Sequence, residues 1–249
     1  LVTRPARQAA DWVARLRAAG IDAVALPLIE IVCAPDELQV QAAWAQLPAM
    51  RLAVFVSPNA AECFFGARPP AAHWPVGTLA AAVGPGTSRV LRELGVDAER
   101  IVEPGADAAQ FDSEALWEQL HAIDWNAQHV LIVRGDGGRE WLAETLRAHG
   151  SEVSAVCAYR RCAPRLDEAQ RAIVAAALRE PRRHLWFFSS SEAIANLGAI
   201  AAAADWSRAR ALATHPRIAE SAQRLGFGEV VQTRPAFDAL RACIQSIAL

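Results

Sequence analysis

Short apolar runs recur along the chain, each followed by a small polar turn and then by a stretch of helical periodicity. Residues 1–2 lead into Thr3-Arg4-Pro5, residues 52–56 into Ser57-Pro58-Asn59, and residues 79–83 into Gly84-Pro85-Gly86-Thr87. Residues 130–133 lead into Arg134-Gly135-Asp136-Gly137-Gly138-Arg139, residues 185–188 into Ser189-Ser190-Ser191, and residues 211–213 into Thr214-His215-Pro216-Arg217. The runs are continuously apolar rather than alternating, which parallel strands covered on both faces require. After the first turn, Ala9, Trp12, Val13 and Leu16 fall at i, i+3, i+4 and i+7 and predict an amphipathic helix. Gly20, Gly95 and Gly150 close Leu-Arg-rich helical stretches, and Gly226 closes a weaker copy. A glycine there supplies a left-handed C-cap before the next strand.

The segments also repeat in order. Residues 2–28 resemble 130–159, residues 52–65 resemble 184–197, and residues 79–103 resemble 209–232. Even the closing helices correspond, Phe111-Asp112-Ser113-Glu114-Ala115-Leu116 against Phe237-Asp238-Ala239-Leu240. A period of about 130 residues predicts an internal duplication, and hence an α/β fold of two similar domains with parallel sheets flanked by helices.

Composition narrows the function. The chain has 249 residues, 53% hydrophobic and 21% charged, as a globular protein has. Its net charge is −2, so no global field gathers nucleic acid. No run of 18 apolar residues predicts a membrane span, and residues 194–204 are too few. The start has no signal-peptide layout and no initiator Met, so a few residues are expected ahead of Leu1. The five cysteines (Cys33, Cys63, Cys157, Cys162, Cys243) are odd in number and scattered, with no C-x-x-C. They support neither a zinc site nor a disulfide framework, and a reducing cytoplasm is the expected setting.

Strand-to-helix turns of parallel sheets lie at the carboxyl edge, where ligands bind. Backbone N–H groups there face outward at the positive end of a helix and suit anions. The same residue types also serve as plain N-caps, so for Ser57, Thr87 and Ser189–Ser191 both roles stand open. Gly84-x-Gly86-x-x-Arg89 fails the dinucleotide fingerprint at its third position, and a chain without Lys has no phosphate-loop lysine. There is no G-x-S-x-G and no H-E-x-x-H, so neither a nucleophile triad nor a metal site is expected. Tyr159, the only tyrosine, ends an apolar run before Arg160-Arg161. A tyrosine at a strand end is commonly a core ring with its hydroxyl at the surface, but a phenol is also a proton donor at neutral pH.

Taken together, V-T-R-P-A-x-Q-A (2–9), P-L-I-E-I (27–31), F-V-S-P-N-A (55–60), A-V-G-P-G-T (82–87), R-G-D-G-G-R-E-W-L (134–142), Y-R-R (159–161) and H-P-R-I-A (215–219) resemble the uroporphyrinogen-III synthase family. The resemblance follows the family order over nearly the whole chain and is thinnest over residues 163–181. It implies two α/β domains, residues 1–29 with 163–249 and residues 34–155, joined by linker strands at 28–34 and 155–163, with the active-site cleft between the domains. The implied reaction is dehydrating cyclisation of hydroxymethylbilane, a linear tetrapyrrole, with inversion of its last ring. Loss of the hydroxyl as water leaves an azafulvene. Attack by the wrong carbon of ring D then forms a spiro intermediate that reopens and recloses inverted. No cofactor and no metal are implied, a monomer is the family default, and hydroxymethylbilane synthase is the implied partner that hands over the substrate.

Tyr159 matches the family tyrosine and is the expected donor to the leaving hydroxyl. Thr87 matches the family threonine, while its counterpart in the second half is Ile218, which makes Arg217 the carboxylate partner there. Arg4, Arg134, Arg139 and Arg161 are further carboxylate grips, since Arg binds carboxylates bidentately. Ser57, Asn59, Gly84, Gly135, Ser189, Ser190 and Ser191 complete the expected substrate-binding set. Two rival readings rest on the same pattern: a hinge-closing receptor for a small anion, and a nucleotide-dependent enzyme on a Rossmann-like sheet.

Overall fold

The computed structural model describes residues 1–249 except 106, 107, 109, 139, 248 and 249. In chain order the elements are α1 (Ala6–Ala18), β1 (Glu30–Cys33), α2 (Glu37–Gln46), β2 (Leu52–Phe55), α3 (Pro58–Gly66), β3 (Leu79–Ala82), α4 (Pro85–Glu93), β4 (Ile101–Val102), α5 (Ser113–Leu120), β5 (His129–Gly135), α6 (Trp141–Ala148), β6 (Glu152–Cys162), α7 (Glu168–Arg179), β7 (Leu185–Phe188), α8 (Ser191–Ile200), β8 (Arg210–Ala213), α9 (Pro216–Leu225), β9 (Glu229–Gln232) and α10 (Phe237–Ile247). They divide into two compact units, one of residues 1–30 with 162–249 and one of residues 31–161.

The unit of residues 31–161 is built on one sheet of order β1-β6-β5-β2-β3-β4. The pairs β6–β5, β5–β2, β2–β3 and β3–β4 are all parallel. Both faces are covered, and successive side chains alternate between them. Ala53, Phe55, Leu131 and Val133 pack with α3 residues Phe64 and Phe65 on one face. Leu52, Val54, Val130 and Ile132 pack with Leu116, Leu142 and Leu146 on the other. Each such buried Leu or Phe contributes about 1.5–3 kcal/mol of hydrophobic stabilisation.

In the unit of residues 1–30 and 162–249, β7, β8 and β9 are parallel neighbours. Val2 adds parallel bridges to Phe187 on one side and Ala25 on the other. The core on one face joins Val2, Ala9, Trp12, Val13 and Leu16 to Phe187 and Leu212. On the other, Trp186, Phe188, Trp206 and Phe227 make a ring cluster. The α1 stripe of Ala9, Trp12, Val13 and Leu16 is buried, as its spacing requires.

The order β2-α3-β3-α4-β4-α5 recurs as β7-α8-β8-α9-β9-α10, which is the repeat seen in the sequence. The four helix-ending glycines, Gly20, Gly95, Gly150 and Gly226, all have positive φ. One expectation fails. Cys33 and Cys63 are joined in a disulfide, leaving Cys157, Cys162 and Cys243 free. The two cysteines are 30 residues apart, on β1 and α3. Only the tertiary fold brings them together, so cysteine number and local spacing carry no sign of it.

Candidate active site

Polar turns follow the carboxyl ends of the parallel strands, and most are spent on helix capping. Ser57 follows β2 and caps α3, its hydroxyl accepting from Ala60 N–H at 3.2 Å. Ser190 caps α8 after β7, accepting from Glu192 N–H. His215 caps α9 after β8, its Nδ1 accepting from Arg217 N–H. Gly84 caps α4 after β3 with extended backbone, and a Cβ there would come 3.1 Å from Phe111 Cβ.

Ser57 is also one corner of a three-residue polar contact in the unit of residues 31–161. Its Oγ donates to the Tyr159 hydroxyl oxygen at 3.1 Å, and an Arg161 Nη reaches that oxygen at 3.4 Å. The Arg161 guanidinium carbon lies 5.9 Å from the Tyr159 ring centroid. The ring itself is buried at 2% exposure. A β-bulge aims it. The β5–β6 register runs Arg134↔Cys157 and then Gly135↔Tyr159, so Ala158 is an extra residue on β6. Strict alternation would send Ala158 and Tyr159 to opposite faces. With the bulge, Val156, Ala158 and Tyr159 all join the same core. Gly135 completes the seat, because an added Cβ would lie 2.7 Å from Tyr159 Cζ.

A cavity of about 220 Å³ in the same unit is lined among others by Val56, Val83, Asp112, Arg134, Gly138 and Glu140, and not by Ser57, Tyr159 or Arg161. Arg134 lines it while ion-paired with Glu140. Thr87 and Asn59, in the first turns of α4 and α3, are both buried, at 2% and 7% exposure. Arg139 lies outside the described residues.

The other expected residues belong to the other unit. Ser191 Oγ donates to Arg217 O at 3.5 Å, Ser189 is half-buried, and the Arg217 side chain is exposed. Arg4 follows Val2 and Thr3 off the sheet. Its guanidinium stacks over Trp12 at 4.7 Å and donates to Gln8 at 3.3 Å, while its Nε is buried without a hydrogen-bond partner. Burial pulls the Arg4 guanidinium down to about 10, with Asp11 acting the other way. Among the described residues, no group of three or more His, Cys, Asp or Glu is placed to hold a metal ion. No helix among them is long and apolar enough to cross a membrane.

The family model described as uroporphyrinogen-III synthase HemD matches residues 10–242. The uroporphyrinogen-III synthase of Salmonella typhimurium is 35% identical over 176 residues, covering 70% of this chain and 69% of the relative. The chain belongs to the uroporphyrinogen-III synthase family. The synthase of Synechococcus elongatus is 30% identical over 214 residues, covering 83% of this chain and 77% of its own. Among solved structures, uroporphyrinogen-III synthetase from Helicobacter pylori superposes with TM-score 0.59 at 16% identity, over 90% of this chain and 92% of that one. A mutant uroporphyrinogen III synthase from Thermus thermophilus gives TM-score 0.55 at 17% identity, over 99% and 98%. At these identities the structures speak for the fold, which is the family's α/β architecture.

The bulge at Ala158 and the close approach of Gly135 to the Tyr159 ring were not foreseen in the sequence. Gly135, expected among the substrate contacts, is the last residue of β5, and an added Cβ there would meet the Tyr159 ring.

Proposed function

We propose that this member of the family cyclises hydroxymethylbilane with Tyr159 as proton donor to the departing hydroxyl, at the carboxyl edge of the unit of residues 31–161. The observation that carries this reading is the Tyr159 hydroxyl, held between Ser57 and Arg161 at 3.1 and 3.4 Å on a buried residue. A phenol so held is fixed in direction, and two donors face the oxygen on which charge develops as the proton leaves. Geometric control is the larger part of the task, because the bilane also closes unaided to the uninverted isomer.

Carboxylate groups of the substrate are then gripped locally rather than by bulk attraction, since the net charge is −2. Arg134 at the cavity and Arg161 beside the phenol serve on one unit. The α8 and α9 turns, with Ser189, Ser190, Ser191 and Arg217, and the Arg4 guanidinium serve on the other. The reading takes the protein as a cytoplasmic monomer that receives its unstable substrate from hydroxymethylbilane synthase. Supplying hydroxymethylbilane and resolving the products chromatographically tests it. Type III product above the spontaneous rate is expected. Type I product alone, at the spontaneous rate, would leave an anion-binding protein without catalysis. Tyr159→Phe is expected to lose rate while keeping its melting temperature, and unchanged kcat would remove Tyr159 from the chemistry.

A further inference from the structure

A hydroxyl has one proton and two lone pairs. At Ser57 one lone pair accepts Ala60 N–H, and an amide N–H can only donate. The Ser57 hydroxyl in turn donates to the Tyr159 oxygen 3.1 Å away. Arg161, which also can only donate, reaches the same oxygen at 3.4 Å. With donors on both lone pairs, the Tyr159 proton is left for a third partner. We infer that Ser57 is a positioning residue for Tyr159: it turns the phenol proton away from itself and Arg161 and holds the oxygen once that proton has gone, using the amino terminus of α3 as its backing.

This rests on the reading of Tyr159 as the donor. In the step concerned, the Tyr159 proton passes to the substrate hydroxyl oxygen. The carbon–oxygen bond breaks with its electron pair staying on oxygen, and water leaves. The pyrrole nitrogen lone pair stabilises the carbon left behind, and the pyrrole N–H proton then passes to the phenolate, giving a neutral azafulvene and restoring the phenol. At the midpoint the phenolate oxygen can only accept. Ser57 must donate at that moment, and its lone-pair contact with Ala60 N–H at the positive end of α3 polarises its O–H for that task.

Capping and donating can be separated by substitution. Ser57→Asp caps a helix as well as Ser but has no proton to give. Ser57→Gly keeps most of the cap stability and has no hydroxyl. Ser57→Thr keeps both functions. Expected are melting temperatures close to wild type for all three. Expected with them is a kcat about 10- to 100-fold lower for Asp and Gly, the worth of one hydrogen bond to a charged oxygen, with KM held. Thr is expected to restore most of the rate.

In a Tyr159→Phe background, Ser57→Gly is expected to cost nothing further. Wild-type kcat in both Ser57→Asp and Ser57→Gly, or a raised KM at constant kcat, would overturn the inference and return Ser57 to substrate contact. Additive losses in the double variant would do the same. If Tyr159→Phe itself keeps full kcat, the donor reading falls and this inference with it. If Tyr159→Phe is slow while Ser57→Gly is not, only the inference falls.

Discussion

Substituting Gly135 by Ala perturbs the Tyr159 seat by one methyl group. Gly135 is not among the glycines with positive φ, so Ala meets no backbone strain and the whole effect is contact. The new Cβ would lie 2.7 Å from Tyr159 Cζ, 2.9 Å from Cε2 and 3.1 Å from Cε1. Ordinary carbon contacts begin near ~3.5 Å, so the ring must retreat by roughly 0.8 Å. It is buried among packed side chains, and overpacking of this kind costs about 1–3 kcal/mol. That lowers the melting temperature by a few to ~10 °C in a chain of this size. The hydroxyl is carried on Cζ, the atom most crowded. A shift of that size changes the 3.1 Å Ser57–Tyr159 separation by up to roughly 0.8 Å and misaligns the bond unless Ser57 follows. The assay is steady-state turnover of hydroxymethylbilane with the type III and type I products resolved. The expected result is kcat reduced to the level of Tyr159→Phe, KM held, and a larger share of type I product. In the Tyr159→Phe background Gly135→Ala should slow nothing more. Wild-type kcat together with a wild-type melting temperature would refute the claim that Gly135 is empty for the sake of the ring.

Other outcomes follow from neighbouring features. Arg134→Gln should raise KM with little change in kcat, because Arg134 lines the cavity and is not bonded to Tyr159. An unchanged KM would leave the Arg134–Glu140 pair a structural one. Reducing the Cys33–Cys63 disulfide frees a loop of 30 residues, and the chain-entropy model gives about 3.5 kcal/mol for such a loop. Thermal melts with and without reductant, and of Cys63→Ser, should show the oxidised protein as the more stable. Coincident melts would show that the bond does not constrain the chain in solution. Arg4→Met should hold or raise the melting temperature, since it removes a cation whose Nε is buried without a partner and keeps contact with Trp12. The same variant should bind substrate more weakly, and a lost melting temperature with intact KM would make Arg4 structural.

Much of the fold was legible because it is local. Continuous apolar runs mark strands covered on both faces, and β2, β3, β5, β7 and β8 stand where those runs stand. Glycines after the last helical turn mark C-caps, and all four have the left-handed backbone. Elements without such marks were missed. The helix α2 has its apolar residues spread around it and is announced only by Asp36, whose side chain accepts from Gln39 N–H. The strands β4 and β9 are two to four residues long and partly exposed, so they carry no apolar run to read, while β1 falls within the linker strand at 28–34 that the family resemblance implies. The disulfide joins the short, largely exposed strand β1 to the helix α3, 30 residues on, a pairing that no local pattern marks.

The site divides along the same line. The sequence pattern marks Ser57 as a residue after a strand and before Pro58, and that much is satisfied by a helix cap. Capping uses a lone pair of the hydroxyl and says nothing of its proton. Where that proton goes is decided 102 residues away, by a strand that carries one residue more than its partner. Neither half of that arrangement has a local signature: Ala158 is an unremarkable alanine in an apolar run, and Gly135 resembles any turn glycine. The proposed chemistry therefore sits in what the local code leaves over. A serine, a glycine and a tyrosine are each explained by ordinary structural needs when taken singly. Their joint geometry leaves one phenol proton unclaimed, and that surplus proton is the reason to look for catalysis at this edge of the sheet.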